Sequence, residues 1–215
     1  MAQMTTPKAL FEHELKDMYY AEKTVEKMLP KLASEATSPE LTKAFKHHLG
    51  ETKQQIKNLE RVFSQIGKRA EGEKCPGIEG LKTEHDEFMQ ENDPSTDMRD
   101  VFLTGAAART EHYEIAAYTG LVSMARTLGE TDAARLLTEN LRQEKEALKK
   151  VETISKSLLK AQKTNGSRRS NGSRRTTSRS GTSTAGRKAT TRRTSRENLL
   201  HFFSHREGPF SGPSR

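Results

Sequence analysis

Two carboxylates three residues apart, Glu111 and Glu114 in the stretch RTEHYEIAAY, sit in the middle of an apolar face that otherwise offers alanine and leucine to its neighbours. Similar interruptions recur elsewhere. Read at helical spacing, one segment presents Phe11, Leu15, Met18, Glu22, Val25 and Leu29. Another presents Leu103, Ala107, Thr110, Glu114, Ala117, Leu121, Met124 and Leu128, and a third Leu137, Leu141, Glu144, Leu148, Val151 and Leu158. Each stripe carries one glutamate near its middle. An ionised carboxylate buried without a partner costs several kcal/mol or takes up a proton. Three at one depth also repel one another. Bound cations remove both penalties, and helical bundles hold di-iron or di-manganese through inward-pointing glutamates. The alternatives are buried acids that share protons, and side chains that snorkel to water from the edge of a stripe.

The remaining apolar stripe, Phe45, Leu49, Thr52, Ile56, Leu59 and Phe63, leaves His48, Glu51 and Gln55 along its flank, with His48 and Gln55 nearer the core. His48 and Glu51 are three residues apart, a reach that suits a shared metal, though in the reverse order to Glu-x-x-His. A π-bulge would swing Glu51 inward, and such bulges occur at functional sites. Glu14, Asp17, His47 and His112 fall further round their helices and read as solvated.

Four helices are required to position these side chains, and the chain marks where they start and stop. Thr6 and Pro7 open the first, which runs to about Glu35 with a kink expected at Pro30. Ser38 and Pro39 open the second, and Gly67 ends it. KCPGIEG reads as a turn, followed by a short amphipathic piece from about Leu81 to Asn92. The third long helix spans about Ser95 to Leu128 and stops at Gly129; the fourth runs from Thr131 and fades near Lys163. No segment alternates with period two. Helices of roughly 30 residues are about 45 Å long, so the expectation is an all-α, antiparallel four-helix bundle over residues 1–162 with a short extra helix.

The charge divides the chain at the same place. Residues 163–215 hold thirteen Lys and Arg against Glu197 and Glu207, a net +11; the whole chain is +8, which leaves −3 on the bundle. The tail repeats NGSRR and continues in Ser, Thr and Arg, a composition that buries too little to offset ordering entropy, so disorder is expected there. Its cations suit binding of DNA or RNA without sequence preference. A solvated tail that aids solubility is the other reading. ENLLHFFSHREGPF near the end is apolar enough for a short docking segment. A single cysteine, Cys75, rules out an internal disulfide framework and a Cys-based zinc site. No apolar run resembles a signal peptide or approaches the ~18 residues of a membrane span, so a cytoplasmic location is expected.

Four fragments, ELKDMYYAEKTVEKMLPKLA, SPELTKAFKHHLGETKQQIKNLERVF, CPGIEGL and EHYEIAAY, together resemble the YciE/YciF ferritin-like family of bacterial stress proteins, in consistent order from about Pro7 to Lys160. The resemblance implies a ferritin-like bundle paired as a homodimer, with a centre of two iron ions per chain, manganese being the alternative. It also implies a stress-linked role in iron or peroxide handling. By position it assigns Glu22, His48, Glu51, Gln55, Glu111, Glu114 and Glu144 as metal ligands. The chain departs from the pattern at Leu148, where an acidic residue is expected, and has no Glu-x-x-His on any helix. The competing function is a non-catalytic dimeric bundle that binds nucleic acid through its tail.

Overall fold

Five helices make up residues 4–173, the part of the chain that the computed structural model describes. They are α1 (Pro7–Glu35), α2 (Pro39–Gln65), α3 (Pro76–Glu91), α4 (Thr96–Thr127) and α5 (Thr131–Ser173). Each start follows from local chemistry. The Thr6 hydroxyl accepts from the Ala9 N–H at 3.1 Å, and Ser38 does the same for Leu41, with Pro7 and Pro39 in the first turns where a missing N–H costs nothing. Gly67 and Gly129 take φ of +72° and +75°, which lets the chain fold back so that Lys68 and Glu130 donate to Phe63 and Ala125 and close α2 and α4.

Two boundaries differ from expectation. The stretch KCPGIEG is not a turn throughout, because α3 begins at Pro76 with Cys75 as its cap, the thiol accepting from the Ile78 N–H. The fourth long helix does not fade at Lys163 but continues to Ser173. No proline interrupts it, and extending a nucleated helix is cheap even across Gly166 and Gly172, each costing about 1 kcal/mol. The rest of the expected disordered tail, 174–215, including its hydrophobic end, lies outside the described residues.

Side-chain pairs give the helix directions. Tyr19 meets Glu60 and Glu12 meets Lys68 between α1 and the end of α2, while Asn58 meets Asn140 and His47 meets Lys150 between α2 and α5, so residue numbers rise on one helix as they fall on the other. Asp100, near the start of α4, accepts from Thr37 and Ser38 just beyond the end of α1. In the cyclic order α1, α2, α5, α4, each long helix is therefore antiparallel to its neighbours. The shorter α3 is the crossover: it runs parallel to α1 (Glu79 to Tyr20, Asp86 to Lys31) and antiparallel to α4 (Glu84 to Arg109, Phe88 stacked on Phe102).

The apolar stripe expected of α1 is buried throughout. On α4 the expected Leu103, Ala107, Glu114 and Leu121 are buried, but so are Thr104, Glu111, Tyr118, Val122 and Ala125, whereas Thr110, Ala117, Met124 and Leu128 are half-buried. The cause is that α4 packs against α1, α3 and α5 at once, so its buried face is wider than one stripe.

Candidate metal centre

All four long helices deliver polar groups to the level of Glu114. These are Glu22 from α1, His48 and Gln55 from α2, Glu111 and Glu114 from α4, and Glu144 from α5, all of them buried. His48, Glu111, Glu114 and Glu144 each offer one ligand atom, and those atoms lie within 4.8 Å of one another. His48 Nε2 is 3.4 Å from Glu111 Oε1 and 3.7 Å from Glu144 Oε2. Gln55 donates to Glu144, and the Tyr118 hydroxyl donates to Glu22 at 2.5 Å.

The polar atoms of this cluster are only partly satisfied. Both oxygens of Glu114, one oxygen each of Glu22, Glu111 and Glu144, and His48 Nε2 are buried without a hydrogen-bond partner among the described residues. Unpaired polar atoms of this kind are rare in protein interiors. No Lys or Arg is among the described buried residues, so no fixed protein cation offsets the carboxylates. Burial, and then the nearby Glu144, raise Glu22 and Glu114 well above the ordinary carboxylate range. Glu111 is raised by burial and by its hydrogen bond with Glu144. Without a cation burial favours their protonated forms; with one they can ionise together.

Glu51 is placed differently. No π-bulge interrupts α2, which is α-helical from Pro39 to Gln65, so Glu51 stays at the rim of the cluster with its side chain 18% exposed. Its Oε2 lies 3.3 Å from His48 Nδ1 and 3.2 Å from His47 Nδ1. Burial alone would raise its pKa, but the two histidines and Lys150 outweigh that and hold it below the usual value. Asp17, expected to be solvated, is part-buried and accepts from the Tyr113 hydroxyl, which also lies 2.7 Å from Cys75 Sγ.

A second layer of polar side chains escaped sequence reasoning. Asn140 on α5 donates to the Tyr118 hydroxyl at 3.0 Å and to the Gln55 carbonyl at 3.3 Å, and accepts from Asn58 at 2.8 Å. Through Tyr118 the network reaches Glu22, so it joins all four long helices beside the carboxylates. Its one visible signal was Asn140 itself, four residues before Glu144 and so on the same face of α5.

The chain matches the family described as Domain of unknown function (DUF892) over residues 6–164. It is 39% identical over 143 residues to protein YciF of Escherichia coli K12, covering 66% of this chain and 86% of that protein. Among solved structures, the E. coli stress protein YciF matches with a TM-score of 0.70 and 36% identity, covering 73% of this chain and 99% of the other. YcfI of Rhodopseudomonas palustris matches with a TM-score of 0.68 and 40% identity, covering 70% and 96%.

Proposed function

Since the chain belongs to the YciE/YciF family of ferritin-like stress proteins, whose domain it carries over most of its length, we propose that its bundle core is a di-metal centre, with iron the preferred ion and manganese the alternative, serving iron or peroxide handling under stress. One observation carries this reading: oxygen atoms of Glu22, Glu111, Glu114 and Glu144 and a nitrogen of His48 converge, buried and without hydrogen-bond partners among the described residues, which bury no lysine or arginine there. The donor set of carboxylate oxygens with one imidazole fits iron or manganese. His48, Glu111, Glu114 and Glu144 would hold the first ion, and Glu22 extends the donors toward a second. Bound iron would supply one-electron chemistry with dioxygen or a peroxide.

The chain's own residues have separate tasks. Gln55 orients Glu144, and Tyr118 orients Glu22, each by donating a hydrogen bond. Burial excludes bulk water from the carboxylates. Elemental analysis of aerobically purified full-length protein should find about two iron or manganese ions per chain. Glu114→Ala and Glu144→Ala should abolish this content. Metal-free wild-type protein whose melting temperature ignores added Fe(II) would refute the assignment.

The charge partition favours a second, compatible activity. A net +11 on residues 163–215 beside −3 on the bundle suits a polyanion, and we expect duplex DNA to be bound without sequence preference. A mobility shift that weakens with salt and disappears on truncation after Lys163 supports it. A truncated bundle that still shifts DNA assigns the binding elsewhere. A homodimer in the cytoplasm is the expected setting for both activities, and sizing by light scattering tests the dimer.

A further inference from the structure

A narrow opening leads from solvent to the carboxylate cluster along the seam between α2 and α5. Ala44 and Ala147 line it where longer side chains would fill it, His48 and Glu111 lie at its inner end, and Glu51 and Lys150 belong to its outer rim. Its free volume is about 20 Å³, room for one water-sized group. Unpartnered atoms of His48 and Glu111 mark the inner end as unsatisfied. A hydrated divalent cation is far larger than this space. It can pass only by exchanging waters for protein ligands, and Glu51 is the carboxylate at the rim, 3.3 Å from His48. The Lys150 ammonium, 3.4 Å from His47, places a positive charge on the outer side of the same opening.

The geometry points to an entry port: a divalent cation reaches His48 and Glu111 through the α2–α5 seam, Glu51 acting as a transfer ligand that replaces its water and hands it inward, and Lys150 retarding its approach. The port rests on the metal-binding reading above. It also gives Glu51 a role that its rim position allows, in place of residence among the buried ligands.

Anaerobic stopped-flow mixing of chelator-stripped, full-length protein with Co(II) reads loading as growth of visible absorption, and the final amplitude reads stoichiometry. Glu51→Gln should slow loading roughly tenfold, and Lys150→Ala should speed it about threefold, as expected when charges at a narrow mouth steer an ion. Both should keep the wild-type amplitude and the melting temperature of the metal-free protein. Wild-type loading rates in both variants, with full amplitude, overturn the port and leave the metal centre standing. A reduced amplitude in Glu51→Gln makes Glu51 a resident ligand and overturns the transfer role. No Co(II) uptake by the wild-type protein removes the metal centre and the port together.

Discussion

Tyr118 shows how a single side chain can determine the state of a carboxylate. Its hydroxyl donates to Glu22 and accepts from Asn140, all three groups being buried. Burial, and then Glu22 in its ionised form, push its own pKa well above 10, so it remains a donor at any working pH. Tyr118→Phe leaves Glu22 with less support and one amide hydrogen of Asn140 without this acceptor. We expect a loss of about 1–3 kcal/mol in urea unfolding of the metal-free protein, and a drop in metal affinity of roughly 10- to 100-fold by competition against a chelator. Unchanged affinity would show that Tyr118 merely fills space. Glu114→Leu should act in the opposite sense on stability. It removes a buried carboxyl with no partner, so the metal-free variant should be at least as stable as metal-free wild type while losing metal content.

At the scale of elements, the centre depends on four helices holding one relative height, and their ends carry the clearest anchors. Asp100 on α4 accepts three hydrogen bonds of 2.7–2.8 Å, from the Thr37 N–H and hydroxyl and the Ser38 N–H. It thereby ties the start of α4 to the turn between α1 and α2. Asp100→Ala strands two backbone donors in that turn and should cost about 2–4 kcal/mol, read as a lower urea midpoint with an unchanged slope. A shift below about 0.5 kcal/mol would show that apolar packing alone sets the register. The crossover α3 is held by closer fits. A Cβ on Gly77 would lie 2.6 Å from Tyr113 Cε2, so no larger side chain enters there without displacing the ring that contacts Asp17 and Cys75.

For the molecule as a whole, the raised carboxyls link folding to pH. The folded-state pKa values of Glu22, Glu111 and Glu114 lie above that of an unfolded glutamate, about 4.3. Above that pH the unfolded chain binds fewer protons than the native one, so stability falls as pH rises. What these groups contribute is present in full below about pH 4.3 and is lost as pH climbs through their folded values. Metal reverses the trend, because it binds the ionised forms and competes with protons. Thermal melts at pH 5 and pH 8 should therefore rank the metal-free protein as more stable at pH 5, and stabilisation by added Fe(II) or Co(II) should be larger at pH 8. A metal-free melting temperature that is flat or rises between those values would mean the carboxyls are already compensated within the protein.

Periodicity and end signals were enough to place the four long helices, because capping and the 3.6-residue repeat are local and act through neighbours in the chain. Glu22, Glu114 and Glu144 stood out for the same reason, each breaking an apolar stripe of its own helix. Which residues meet could not be read that way. The pairing of Tyr118 with Glu22, the bridge from Asn58 to Asn140, and the rim position of Glu51 depend on how separate helices rotate and pack, and α4 shows that even the buried face of one helix is set by how many neighbours it has. Sequence by itself determined that acids lie on inward faces. Tertiary structure alone decided that four ligand atoms stand within 4.8 Å of one another with no lysine or arginine buried among the described residues to neutralise them, because burial and distance belong to the assembled bundle and not to any one segment.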